Sequence, residues 1–191
     1  MEVFLRALLP RLLPQDRTFE VHPFQGKSGL LGTLEQRLRG YAAWLPADWR
    51  IVVVVDRDDD DCRVLKRQLE SMARRAGLRT RTRTGSAAWQ LVNRIAIEEL
   101  EAWYFGDWAA VRSAYPRASA NVPRRHGFRD PDAIVGGTWE AFERVMQSHG
   151  YFKGGLLKIE AARAIGAHVD PARSSSRSFR AFSAAISEAY S

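Results

Sequence analysis

The sequence predicts an α/β protein: an open, mainly parallel sheet with flanking helices and a helical C-terminal extension. Three observations lead there. Ile51 to Val55 is an unbroken run of β-branched residues without alternation, the pattern of a strand covered on both faces in a parallel sheet. That run ends in Asp56 and passes into a stretch of helical periodicity. Gln90 to Ile97 is a further apolar strand candidate, again followed by a helical pattern. Strands separated by helices imply parallel βαβ units with right-handed crossovers.

The elements follow in order. Val3, Phe4, Ala7, Leu8 and Leu12 fall near helical spacing, and Pro14 ends the run. Thr18 to Phe24 reads as a short strand with Phe19 and Val21 on one side. Gln25-Gly26-Lys27-Ser28 is a turn. Leu30, Leu31, Leu34, Leu38, Tyr41 and Leu45 form the apolar face of a helix that Pro46 closes. After the central strand, Asp59-Asp60-Asp61 can cap a helix and favour its positive end. Cys62, Leu65, Leu69, Met72 and Ala76 line that helix, and Gly77 stops it. Leu78 to Thr84 alternates Arg and Thr as a solvated strand would, with Arg79, Arg81 and Arg83 on one face. After Gln90 to Ile97, helices are expected from Glu98 through Tyr104 and from Asp107 to Ala114. Tyr115 to Gly137 contains Pro116, Pro123 and Pro131 and reads as a long loop. Helices over Thr138 to Ser148, Gly155 to Gly166 and Ser178 to Tyr190 close the chain. Residues 1–114 thus form the α/β core, and residues 115–191 a loop plus a helical extension packed on it.

The bulk numbers set bounds. A chain of 191 residues, 46% hydrophobic and 27% charged, holds one substantial core and is not disordered. Its single cysteine, Cys62, excludes an intrachain disulfide and a cysteine-built zinc site. The longest purely aliphatic run is far too short for a membrane span, and the first residues lack the features of a signal peptide. A cytoplasmic location with no membrane partner is expected. A formal charge of +7 and a pI of about 10.1 attract polyanions, nucleic acid foremost.

The acids carry the chemistry. Ligands of open parallel sheets bind beyond the carboxyl ends of the strands, where Asp56 and Asp58 stand. Residues two apart in extended chain point the same way, so both carboxylates are expected to face one hard cation, Mg²⁺ or Mn²⁺. Glu98 and Glu101, three apart after the later strand, share a face if that stretch is helical and approach the same edge. Gln25-Gly26-Lys27-Ser28 resembles the tail of a phosphate-binding loop. Val21 stands where that motif needs its first glycine, which leaves Lys27 as a candidate phosphate ligand at a helix start. Arg124, Arg125, His126, Phe128 and Arg129, then Tyr151, Phe152 and Lys153, interleave cations with rings, as nucleic-acid surfaces do. Arg173, Arg177 and Arg180 form a third basic cluster. For each acid the plainer role is helix capping or solvated charge, and for each base a solvated surface. His22, His126, His149 and His168 show no metal-ligand spacing.

Five blocks together resemble the domain-of-unknown-function 4276 family over nearly the whole chain. They are His22-Pro-Phe-Gln-Gly-Lys27, Val-Val-Val-Asp56-Arg-Asp-Asp-Asp-Asp-Cys62, Arg94-Ile-Ala-Ile-Glu-Glu-Leu-Glu-Ala-Trp103, Tyr151-Phe-Lys153 and Ser178-Phe179. The resemblance implies a Toprim-like fold, shared with topoisomerases, primases and overcoming-lysogenization-defect nucleases. It also implies a Mg²⁺-dependent nuclease or nuclease-like effector, often encoded beside an ATPase in bacterial antiphage loci. On the matching positions it makes Asp56 and Asp58 the metal pair, Glu98 and Glu101 members of an acidic block, and Lys153 a late lysine that stabilises phosphate charge. Toprim proteins carry a catalytic glutamate at the end of a first strand. Here Met1-Glu2-Val3-Phe4-Leu5 already aligns with the helix after it, and Glu2 is not the matching residue. The expectation is that the natural protein starts earlier.

The mechanism expected is metal-assisted phosphodiester hydrolysis, with Asp56 and Asp58 holding the cation and Lys153 or Lys27 offsetting charge. Two alternatives stand beside it: a catalytically inactive subunit that binds nucleic acid or an ATPase, and a nucleotide-handling phosphotransferase with a degenerate phosphate loop. Homo-oligomerisation stays open.

Overall fold

The computed structural model describes residues 1–85 and 88–190. Its centre is the expected buried strand, β1 (Ile51–Asp56), paired in parallel with β2 (Leu91–Ala96) from Ile51 opposite Leu91 to Asp56 opposite Ala96. Among the described residues the sheet has these two strands only. The architecture is mixed α/β, with helices on both faces of a small parallel sheet.

Period-2 geometry divides the strand's side chains between two layers. Val53, Val55 and Leu91 face α2 (Gly26–Trp44) and α3 (Cys62–Arg75), meeting Leu30, Leu34, Leu38, Leu65 and Leu69. Val52 and Val54 face the opposite layer. That layer joins α1 (Glu2–Leu12) to the C-terminal helices. Its centre is aromatic: Phe4, Trp103, Phe179 and Phe182 pack with ring centroids 5.1–6.5 Å apart. α3 forms as its pattern requires. Asp61 accepts a 2.8 Å hydrogen bond from the Val64 amide at the N-terminus, and Gly77, at φ 83°, takes the left-handed turn that ends the helix.

The connection from β1 to β2 runs through α3 and a single helical turn, α4 (Arg81–Thr84). The strand expected over Leu78 to Thr84 is therefore reduced to one bridge, Thr80 to Leu91. The alternating residues serve side-chain bonds instead. Arg81 grips Glu188, Thr82 donates to Glu70 at 3.0 Å, and Thr84 donates to the Thr80 carbonyl at 3.2 Å. Thr18 to Phe24 likewise forms no strand. It runs without a ladder partner, and the Val21 carbonyl accepts from the Arg6 guanidinium. A strand requires a neighbour to satisfy its backbone, and local alternation cannot supply one.

Beyond β2 come α5 (Glu101–Gly106), α6 (Trp108–Ala114), α7 (Thr138–Ser148), α8 (Lys158–Gly166) and α9 (Arg177–Ala189). The stretch from Tyr115 to Gly137 is non-helical apart from 3₁₀ turns at Val122–Arg124 and Pro131–Ala133. It packs tightly, with Val122 and Ile134 buried. Asp132 ties it to the start of α9, accepting from Ser176, from the Ser178 hydroxyl and from the Ser178 amide at 2.7–2.9 Å. α8 crosses α1 closely at Gly166, where a Cβ would stand 2.9 Å from the Phe4 carbonyl. None of the described helices is long and apolar enough to cross a membrane.

Candidate active site

Asp56 continues the Val52 and Val54 side of β1, which aims its carboxylate at the α1 and α5 layer. Its Oδ1 is buried without a hydrogen-bond partner. Burial raises its pKa to about 6, and the charges of Asp58 and Glu99 add to the rise. The Met1 ammonium and Lys158 oppose it. Glu101 opens α5 in the same neighbourhood and is buried. Its pKa is pushed up to about 7 by burial, with Glu99 and Asp56 adding to the effect and Lys158 opposing it. Two carboxyl groups are thus desolvated together, at the place where the parallel sheet presents its carboxyl end.

Glu99 and Lys158 complete the cluster. One Glu99 oxygen accepts from the Thr138 hydroxyl at 3.2 Å and the Trp139 amide at 3.1 Å, so the start of α7 fixes its position. Lys158, the first residue of α8, lies over the Trp139 ring at 4.3 Å. A cavity of about 980 Å³ is lined by Asp56, Asp58, Glu99, Glu101, Lys27 and Lys158 together with apolar residues of α1, α2 and β1. Tyr104 lies one turn further into α5, with its hydroxyl buried and unpartnered. Burial, then Glu101 and Asp56, hold its proton firmly.

Of the remaining expected site residues, Asp58 and Lys27 line the same cavity but are turned to each other, and Glu98, Lys153, Arg124 and Arg125 do not line it. Asp58 does not point with Asp56. The chain leaves the extended region after the strand, Asp58 adopts φ 48°, and its carboxylate meets Lys27 at 2.8 Å. Lys27 also binds Asp60 at 2.9 Å and the Arg57 carbonyl at 2.9 Å. Burial works against this ammonium, but the two carboxylates outweigh it and raise its pKa. In this arrangement Lys27 clamps the acidic loop. Glu98 and Glu101 share no helical face, because α5 begins only at Glu101 and Glu98 takes φ 61°. The Glu98 side chain pairs with Arg57, and its carbonyl accepts from the Asp58 amide at 2.9 Å.

Lys153 is exposed in the loop before α8 and does not line the cavity. Lys158 is the late lysine that does. Arg124 and Arg125 are exposed on the 3₁₀ turn and its flank, also away from the cavity. The rings between these cations are committed to the core. Phe128 stacks on Phe105 at 5.1 Å, and Tyr151 and Phe152 meet Tyr115 at 5.0 and 5.3 Å. In the third basic cluster, Arg173 binds buried Asp107 at 2.8 Å and Arg177 binds Asp130 at 2.8 Å.

Sequence reasoning missed Glu99 and Lys158. Glu99 stands inside the acidic block already singled out, but helical spacing selects its neighbours. Lys158 carries no local signal, since only the packing of α8 brings it to β1. Among the described residues, no three His, Cys, Asp or Glu side chains form a ready-made metal cage. The unpaired Asp56 oxygen and the carboxylates around it are nevertheless hard donors of the type Mg²⁺ and Mn²⁺ take.

No curated protein and no solved structure matches the chain. One family model, described as "Domain of unknown function (DUF4276)", matches residues 1–187. The blocks around Asp56, Glu99 and Glu101 that build this site all lie within that span, and the chain belongs to the DUF4276 family.

Proposed function

We propose that this protein is a Toprim-like, divalent-metal-dependent nuclease or nuclease-like effector that acts on phosphodiesters, with antiphage defence as its setting. One observation carries the reading. Asp56, at the carboxyl end of a parallel strand, keeps a buried oxygen without a partner, beside two further carboxylates and a lysine. A group buried at such cost without a bond is a candidate functional group.

Asp56 and Glu101 would hold Mg²⁺ or Mn²⁺. When bound, the cation supplies Lewis acidity and a water of lowered pKa. Glu99 shapes the same anionic wall and is held rigid by the start of α7. Lys158 places a positive charge at the cavity, where it offsets charge that develops on a phosphoryl group. The Trp139 ring beneath it restricts its motion. The net charge of +7 draws polyanions toward the molecule.

The test is cleavage of DNA and RNA panels in Mg²⁺ or Mn²⁺. Asp56→Asn should lower the rate at least about 100-fold, and Lys158→Ala about 100-fold. Lys153→Ala should leave it near wild type. Cleavage unchanged in Asp56→Asn refutes the assignment.

A second reading has its own support. Lys27 captures both Asp58 and Asp60, which leaves Asp56 alone of the strand-end pair free. That arrangement suits a subunit that binds nucleic acid or an ATPase without cutting. Stable binding to either, with no cleavage in any metal tested, would favour it.

A further inference from the structure

A second pocket opens at the outer edge of β2. It encloses about 470 Å³ between α3, that edge and the start of α9, and it shares no lining residue with the larger cavity. Three cations line it: Lys66, Arg94 and Arg177. Two of them converge on one atom. Parallel pairing uses alternate residues of a strand. The Gln90 and Ala96 carbonyls face β1, so the Asn93 carbonyl points outward. It accepts from Lys66 Nζ at 2.5 Å and from Arg94 Nη1 at 3.2 Å. Lys66 comes from α3 on one face of the sheet. Arg94 comes from the other face, where its Nε donates to the Ala181 carbonyl of α9 at 2.8 Å. Two cationic groups that share one acceptor stand side by side.

Their charges are unequally answered. Lys66 pairs with Glu70 at 3.2 Å and Arg177 with Asp130 at 2.8 Å, and neither acid lines the pocket. Arg94 bonds to carbonyls alone, and among the described residues no carboxylate stands at ion-pair distance from it. Glu188 of α9 is taken up by Arg81. Of the five N–H groups of Arg94, two are bonded within the described residues. Burial, then the Arg81 charge, lowers its pKa, with Glu188 and Glu70 offsetting the fall. Burial lowers that of Lys66 too, with Glu70 opposing and Arg94 adding to the fall. The one acid among the lining residues, Asp132, is occupied by the Ser176 and Ser178 hydroxyls and the Ser178 amide at 2.7–2.9 Å. A half-buried cation without a counter-charge is costly.

We propose that this pocket binds a phosphate group, seated against the Arg94 guanidinium with Lys66 and Arg177 flanking it. The guanidinium fork matches phosphate oxygens in shape and charge. A tetrahedral anion presents oxygens in several directions, which suits cations that arrive from both faces of the sheet; a planar carboxylate presents two. Arg177 is exposed, and an exposed ion pair such as its bond to Asp130 is weak enough to be exchanged. The phosphate belongs to a nucleic-acid backbone or to a small phosphorylated molecule, and the chemistry of recognition is the same for both. The site stands apart from Asp56, Glu99 and Glu101, so the inference goes beyond the hydrolytic reading and does not depend on it.

The test is a ¹H–¹⁵N NMR titration of the full chain in metal-free buffer containing EDTA, with ionic strength held constant by NaCl because screening alone moves surface signals. The probes are inorganic phosphate, AMP and a short oligodeoxythymidylate. The Arg94 Nε–H and Ile95 amide signals should shift saturably. Arg94→Gln should weaken binding at least about 10-fold. Arg177→Gln should weaken it about 3-fold without lowering Tm, since that side chain is 69% exposed, and it decides the matter if Arg94→Gln fails to fold. Arg39→Gln, which removes an equal charge from the surface of α2, should change nothing. An oligonucleotide that binds at least about 10-fold more tightly than AMP, at the same signals, identifies the backbone as the source; AMP or phosphate binding as tightly identifies a small molecule. Several results would overturn the proposal: no saturable shift with any probe, shifts that NaCl alone reproduces, affinity unchanged in Arg177→Gln and in any folded Arg94→Gln, or an equal loss in Arg39→Gln. Since no metal is present and no cleavage is read, failure here leaves the hydrolytic reading untouched.

Discussion

Replacing Glu101 with glutamine keeps the side chain's shape and removes its ability to ionise. Glu101 is 5% exposed, and its pKa rises from 4.5 in the unfolded chain to about 7 in the fold, chiefly through burial. Below the lower value both states hold the proton and folding is unaffected. As pH rises between the two, the unfolded chain releases a proton that the native state keeps, so stability falls by about 1.4 kcal/mol per pH unit. Above about pH 7 the loss is complete, at about 3 kcal/mol. Asp56 adds a parallel loss in a lower window, from 3.8 to about 6. Glu101→Gln should remove the Glu101 share alone. Relative to wild type it should gain about 3 kcal/mol from pH 4.5 to pH 8. Burying an amide adds a constant offset that does not vary with pH, so the informative quantity is the slope. Urea unfolding of both proteins at half-unit steps from pH 4 to 8, with unchanged m-values, measures it. Parallel stability curves for the two proteins would refute the buried-acid account of this site.

Two further outcomes test the scaffold. Asp107 caps α6, accepts from the Asp170 amide at 2.8 Å and binds Arg173 twice, at 2.8 and 3.1 Å, with its own side chain 1% exposed. Asp107→Ala should cost about 3 kcal/mol in denaturant unfolding, because it strips partners from a buried cap; a loss under about 1 kcal/mol would show the network to be decorative. Gly166→Ala forces a methyl to within 2.9 Å of the Phe4 carbonyl and 3.1 Å of the Ala7 Cβ. It should destabilise by about 1–3 kcal/mol as α8 is pushed off α1, seen as a lower Tm, whereas a raised Tm would mean the helices yield freely.

Much of the architecture was legible in the chain. Ile51 to Val55 has no alternation because both faces of β1 are covered. Asp61 reads as a cap because a short carboxylate before a helical apolar pattern has few better partners than the first-turn amides. Gly77 reads as a stop for the same local reason. The failures lie where a residue's role depends on something distant. Thr18 to Phe24 has a strand's alternation but no neighbour to pair with. Arg81 looks like one tooth of a solvated strand and is a partner of Glu188 on α9.

The site divides along the same line. The sequence by itself determined the strand, its terminal Asp56 and the acidic block after β2, because strand periodicity and the end of a parallel strand are properties of short stretches of chain. Only the tertiary structure decided which acids meet. The left-handed turns at Asp58 and Glu98 send those carboxylates to Lys27 and Arg57, and the start of α7 and the packing of α8 bring Glu99 and Lys158 to Asp56. Burial, which lifts Asp56 and Glu101 toward neutrality, is likewise a sum over atoms from elements far apart in the chain, and no local pattern encodes it.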